Sequence, residues 1–416
     1  MKKIIVLLLL ATIVKVEAQT STFAVSDSLF AKGRYKMALK VLDEGESSFL
    51  SNYKKAIIYE SIDNFKKASF YLEKAITFKD DEKANLKLAK NYRALGQSAK
   101  AIPIYEKLIA KDTLNLVLKY QLSKMYVINR KPKKAISTFS YLVKQDVNNA
   151  NYTYYLGLAY ALNGQRDPMI NSFIATYKKD STHLKAIKRL AKSFHKLQDK
   201  DSTQLFVDKG LALNKNDIEL NKLKINRLYK DKNYLEAVPL LKNLDTIDRK
   251  ETYSKVMLGR VFYNLDSLEQ AKKVFTKLSF IDREDYTALT YLGDIYFKEK
   301  NYNKAMMNYM MATTRGKKAR DAEYYGLARV FYELEKPKMA IKFFKKAYEE
   351  NISNYRALYQ LATMSDDYYK DKKIAYRLYN EYTEKFWRKD KGMNNFVRNR
   401  INEIKKDYFM RGETLK

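Results

Sequence analysis

Apolar and polar positions along this chain repeat with a short helical period and, above it, a much longer one. Within Tyr286–Ala319, Leu289, Leu292, Gly293 and Tyr296 fall on one stripe at helical spacing. The polar turn Lys300-Asn301-Tyr302-Asn303 follows, and then Ala305, Tyr309 and Ala312 form a second stripe. Such spacing predicts two amphipathic helices folded back on each other, with small residues where they touch. The unit recurs through nearly the whole sequence. The residue that opens the second stripe stands at Ala38, Ala68, Ala101, Ala135, Met169, Thr203, Ala237, Ala271, Ala305, Ala340 and Ala375, in steps of 30, 33, six of 34, and two of 35. Four residues on from each stands a bulky one, among them Tyr105, Phe139, Phe173, Phe275, Tyr309 and Phe344. First helices carry a matching pattern, as in Leu88-Ala89 with Tyr92, Leu156-Gly157 with Tyr160, and Leu258-Gly259 with Phe262. Eleven hairpins are expected, sharpest from Glu82 to Asn354.

This unit resembles the tetratricopeptide repeat, whose pattern is an aromatic, a Leu-Gly pair and a Tyr, then an Ala with a Phe four residues later. The resemblance implies an all-α fold: an α-solenoid, wound as a right-handed superhelix of about eleven hairpins, over residues 19–385. It also implies that first helices line a concave groove while second helices form the outer wall. The chain departs from the pattern in places. No repeat carries the proline that the family places near its end, so the joins between repeats are expected to be less sharply fixed. Thr203 replaces the signature alanine, and Lys224-Ile225 stands where the Leu-Gly pair belongs, so residues 199–235 are expected to be the weakest part of the array. After Tyr382 the period is lost. Residues 386–416, with Phe386, Trp387, Phe396, Ile401 and Ile404, resemble the extra helix that caps the last hairpin of a solenoid. Trp387 is expected to lie buried beneath it.

The N-terminus changes the picture of where the protein works. Lys2 and Lys3, the apolar run Ile4–Val14 and the small-x-small site Val16-Glu17-Ala18 read as a signal peptide over residues 1–18. Lys15 ends the apolar run well short of the roughly 20 residues that cross a bilayer. No cysteine follows to carry a lipid, because the chain has none, which also excludes disulfides, thiol catalysis and thiolate metal sites. Export to the periplasm or to an outer-membrane-associated site is expected. The Gln after the cleavage site and the abundance of Lys, Asn and Tyr resemble an envelope protein of the Bacteroidota. The net charge of +32 raises nucleic acid or an anionic surface as partner, but only 18 of the 80 basic residues are arginine. Lysine is the ordinary filler of solvated helix faces, and arginine the commoner choice for phosphate and base recognition. With export, no nucleic-acid partner is expected.

The search for chemistry finds no glycine-rich phosphate loop, no G-x-S-x-G elbow and no H-E-x-x-H among residues that include only two histidines, His183 and His195. No enzyme activity, cofactor or metal is expected. What remains is the groove that the resemblance implies. Residues beside, and four beyond, the small residue of each first helix would face into it, and a third row lies one turn earlier. These rows are basic early and aromatic late. The basic part comprises Lys90, Arg93, Lys124, Lys188, Lys192 and His195; the partner-binding part comprises Tyr229, Arg260, Tyr263, Asp294, Phe297, Tyr325, Arg329 and Tyr332. Tyr154 and Asp366 fall in the same rows. Lys222 and Asn226 resemble the start of the carboxylate clamp of some tetratricopeptide chaperone adaptors, but Met257 stands where a second asparagine would be needed, so the clamp is incomplete. Three readings follow. The leading one is a non-enzymatic scaffold of the cell envelope that holds a protein or peptide segment in the groove. The alternatives are a binder of an anionic envelope polymer or membrane surface, and a non-catalytic subunit of a secretion, assembly or enzyme complex.

Overall fold

The computed structural model describes residues 22–249, 251–281, 286–315 and 320–415, which are helical with no strand among them. The expected signal peptide lies outside the described residues. The chain divides into two compact units between Leu213 and Asn214, inside the stretch 199–235. Each unit is an α-solenoid of antiparallel helical hairpins. The first holds six, from the pair 22–31 and Tyr35–Glu44 to the pair Leu184–Lys196 and Lys200–Leu213. The second holds five, from Ile218–Lys230 with Tyr234–Ile247 to Tyr355–Tyr368 with Lys373–Phe386, followed by the helix Lys391–Met410.

Local sequence explains where each helix begins and ends. Seven of the ten joins between hairpins, which lack the family's proline, carry a capping side chain, while those before Tyr253, Thr287 and Asp321 carry no side-chain cap. Ser48, Asp81, Asn115, Asn149, His183 and Asp217 each accept a backbone N–H at the start of the next first helix. The amides of Asn115 and Asn149 in turn donate to Asp112 and Asp146, each at 3.1 Å. A cap of this kind stabilises a helix start by about 1 kcal/mol, so the capped joins are fixed without the proline. Within the first ten hairpins the turn always places one residue in the left-handed region. These are Gly33, Asp63, Gly96, Arg130, Gly164, Gln198, Lys232, Asp266, Lys300 and Glu335. The next N–H then returns to close the first helix, as Asn301 N–H does to the Tyr296 carbonyl at 2.8 Å.

Packing follows from one size rule across each hairpin. Nine of the opening residues are alanines with no exposed surface, among them Ala38, Ala68, Ala305 and Ala375. Where the first helix offers glycine, the second offers a ring. A Cβ added at Gly157 would come within 2.7 Å of Phe173, and one at Gly259 within 2.6 Å of Phe275. Where the first helix offers the bulkier Ile225, the second offers Leu241, and both are fully buried. Close approach and ring size are therefore matched hairpin by hairpin.

The helix Lys391–Met410 buries Val397, Ile401, Ile404 and Tyr408 against the last hairpin. Its Arg400 donates from Nε to Asp366 Oδ2 at 2.5 Å, and Lys372 lies 3.5 Å from the same carboxylate. Two expectations are corrected here. Trp387 is half exposed, with Arg388 stacked 4.4 Å from its ring, because it sits at the end of the last hairpin before the helix begins. Asp366 faces no groove; it is buried and paired.

Candidate recognition face of the second unit

Four first helices of the second unit, Ile218–Lys230, Tyr253–Asn264, Thr287–Lys298 and Asp321–Glu333, carry the aromatic and charged residues singled out from sequence. Side chains on a helix lean back toward its N-terminus, so residues one repeat apart meet across neighbouring hairpins. Arg260 demonstrates the consequence. Its Nε donates to the Tyr291 hydroxyl at 3.0 Å, while its guanidinium lies 6.0 Å from the Tyr229 ring and 5.7 Å from the Tyr291 ring. Tyr291 is fixed from behind by stacking on Phe275 at 4.7 Å, and Tyr263 meets it edge-on at 5.4 Å. The amide of Asn264 donates to the Tyr229 hydroxyl at 3.0 Å.

The pattern of ring and cation continues one hairpin on. Lys298 Nζ stands 4.5 Å over the Tyr263 ring, and the Arg329 guanidinium 3.9 Å over the Phe297 ring. Asp294 sits between them and accepts the Tyr309 hydroxyl at 2.6 Å. Burial pushes the Asp294 carboxyl above the usual carboxylate range, against the opposing pull of that hydrogen bond and of Arg329 and Lys298. The Tyr263 hydroxyl is pushed up to about 12, first by burial and then by the nearby Asp294 charge. Tyr325 packs edge-on against Phe344 at 5.3 Å, and Tyr332 stands 56% exposed. The rings are thus not open platforms: four of them carry a cation from their own chain. Each such pairing contributes about 0.5–1 kcal/mol where it is exposed. The incomplete clamp is likewise engaged internally, since Lys222 pairs with Glu251 and Asn226 accepts the Tyr253 hydroxyl at 2.9 Å.

The basic residues belong to the first unit. Lys90 is exposed on the third hairpin, and Arg93 there donates to the Gln121 side chain at 2.7 Å. Lys124 lies between the Tyr120 and Tyr155 rings at 5.2 and 5.4 Å, and burial lowers its pKa, with Arg93 and Lys185 adding repulsion. Lys188, Lys192 and His195 share the helix Leu184–Lys196, where His195 is exposed and the two lysines are half-buried. Tyr154, expected to face the groove, is buried against Phe173 and stacks 4.7 Å from His183. Sequence reasoning missed Tyr291, Lys298 and Asn264. Tyr291 lies one position off the expected rows, and nothing in its spacing marks it as the ring that Arg260 holds. Among the described residues no helix is long and apolar enough to cross a membrane, and no three acidic or His side chains are grouped to hold a metal ion.

These features define a protein class: an α-solenoid whose repeated hairpins present aromatic and charged first-helix faces. Tetratricopeptide repeat models match residues 50–82, 83–112 and 324–351, so the hairpins there are tetratricopeptide repeats. No curated relative matches the chain. Among solved structures, it is similar to yeast Tom70, at 14% identity over 95% of this chain and 97% of that one, with a TM-score of 0.44. It is also similar to the C-terminal part of a repeat-containing protein of Cytophaga hutchinsonii, at 17% identity over 57% and 99%, with a TM-score of 0.46. PilF of Pseudomonas aeruginosa matches at 18% identity over 52% and 97%, with a TM-score of 0.42. Tetratricopeptide repeat proteins generally mediate protein–protein interactions.

Proposed function

We propose that the chain is an exported, non-catalytic scaffold of the cell envelope that holds a segment of a protein partner on the first-helix face of its second unit. The observation that supports this reading most is the fixed series of rings and cations on neighbouring helices, running from Tyr229 and Arg260 to Phe297, Arg329 and the exposed Tyr332. Aromatic and arginine side chains offer large contact area at modest entropy cost, which is why they dominate binding hot spots. Pre-stacking them on each other lowers that cost further. The export reading rests on residues 1–18 alone.

The test pairs stability with capture. Tyr332→Ala and Arg329→Ala are expected to leave the melting temperature almost unchanged, since Tyr332 is exposed and Arg329 lies over a ring rather than in a core. Capture of the native partner from envelope extracts should weaken by about 2 kcal/mol for Tyr332→Ala. Undiminished capture by both variants would end the reading. Affinity that collapses as salt rises would favour an anionic polymer instead.

A further inference from the structure

We propose that the helix Tyr302–Thr314, the second of the ninth hairpin, binds a soft monovalent metal ion, copper(I) or its analogue silver(I), through methionine thioethers on its outer face. The site lies on the other helix of the hairpin from the recognition face and does not rest on it. Four of the chain's 13 methionines stand in this one helix, at Met306, Met307, Met310 and Met311. An α-helix turns about 100° per residue, so the four fall within an arc of about 140°. That arc lies opposite the buried residues Ala305, Asn308, Tyr309 and Ala312. Met307 and Met310, in its middle, are 53% and 51% exposed. Met306 and Met311 are half-buried on either side. Met306 packs against the core that includes Leu327 and Val330, and Met311 against the one that includes Phe275 and Leu278.

Residues three and four apart on a helix have Cβ atoms about 5–6 Å from each other. Met307 and Met310 are related in this way, as are Met306 with Met310 and Met307 with Met311. Each sulfur stands two bonds beyond its Cβ on a flexible, unbranched chain. Neighbouring sulfurs can therefore close to the ~4 Å that separates two ligands lying about 2.3 Å from one shared ion. The donor set selects that ion. The helix contains no Asp, Glu, His or Cys, so it offers neither oxygen anion nor imidazole to a hard or borderline divalent cation. Neutral thioethers favour soft copper(I) and silver(I) instead. A monovalent ion also adds the least charge to a chain already at +32. Lys304, the only charged residue of the helix, is turned onto the Tyr296 ring, 5.4 Å from its centroid. No thiolate competes for a soft ion, because the chain has no cysteine. An apolar partner is less well served by this face, since the exposed Asn303 and Thr314 share the middle of the arc with Met307 and Met310.

Calorimetric titration of the intact chain with silver nitrate in chloride-free buffer tests this, repeated without oxygen for copper(I) in competition with a chromophoric chelator. One ion per chain is expected to bind. Met307→Leu with Met310→Leu keeps size and apolarity at two exposed positions and should weaken binding about tenfold or more. Met37→Leu should leave it unchanged, because Met37 is equally exposed, at 53%, but is the only methionine of its helix. Thioethers take up no proton, so affinity should be the same at about pH 5.5 and 7.5, whereas a site built on His183 or His195 would weaken in acid. Carbon-13 labelling of the methionine methyl groups locates the ion on the wild-type chain: the resonances that move with silver(I) should include those that the two substitutions remove. Absence of binding, equal binding by the double variant, or affinity that falls in acid would overturn the proposal. So would zinc(II) binding as tightly with the same sensitivity to the variants, or movement confined to methyl resonances of other methionines.

Discussion

The Tyr309 ring is gripped from two sides, and this makes Gly326 the most informative single position in the fold. A Cβ at Gly293, in the same hairpin, would stand 2.6 Å from the ring, and one at Gly326, in the next hairpin, 2.5 Å from it. The ring has no exposed surface, and its hydroxyl is tied to Asp294 at 2.6 Å, so it cannot swing away from either glycine. Gly326→Ala therefore overpacks the joint between the ninth and tenth hairpins, at a cost of up to about 3 kcal/mol. Alanine's better helix propensity returns about 1 kcal/mol, leaving a net loss of about 2 kcal/mol. For a unit of this size that corresponds to a fall in melting temperature of roughly 4–8 °C. Circular-dichroism melts and urea titrations measure it, with Gly392→Ala as the control. A Cβ there meets only the Asp390 carboxylate at 3.4 Å, so the control should be neutral or stabilising. The decisive arm repeats Gly326→Ala in a Tyr309→Leu background, where the smaller side chain leaves room and the change should become favourable. A stabilising Gly326→Ala in the wild-type background, or the same effect in both, would refute the argument that ring contact governs the joint.

Two further predictions concern charge and backbone. Burial alone would raise the Asp366 pKa, but Arg400 and Lys372 overrule it and hold the carboxyl below its usual range. Since the folded pKa is depressed, the stability this group contributes is present above its unfolded value of about 3.9 and lost as pH falls through the folded one. Urea titrations should show Arg400→Ala costing about 2 kcal/mol or more at pH 7, with the gap closing in acid, because the variant leaves a buried carboxylate with one fewer partner. An Arg400→Ala penalty independent of pH would contradict this. Lys300 and Lys232 occupy the left-handed region at φ of 57° and 60°. Replacing either by glycine should raise stability by about 0.5–1 kcal/mol, read as a shift in urea midpoint, despite glycine's greater unfolded-state entropy.

How much of this was legible in the sequence depends on whether a feature is carried by spacing or by orientation. The hairpins were legible because the constraint that makes them, a small residue opposite a large one, recurs at nearly constant separation from Ala38 to Ala375. The turns were not, since seven of the ten residues in the left-handed region are not glycine, and Lys300 in a polar turn looks like any exposed lysine. The capped joins were not legible because the family's proline is absent, while the helix starts there are held by Ser, Asn, Asp or His side chains that no fixed motif marks. Trp387 and Asp366 failed for a further reason: their surroundings are set by the terminal helix, whose Arg400 lies 34 residues beyond Asp366 and outside the period. The recognition face shows the same boundary more sharply. Spacing placed Arg260, Phe297 and Arg329 on neighbouring helices, but it could not say that the cations would lie on the rings of their own chain. A repeat of 34 residues fixes which row a side chain occupies, whereas its availability depends on the rotamer and on what the next hairpin offers. For Phe297 that neighbour is Arg329, 3.9 Å from the ring. A partner on this face must therefore either displace the arginine or bind ring and cation together. The second course needs an acidic or carbonyl-rich segment and leaves the stacking intact.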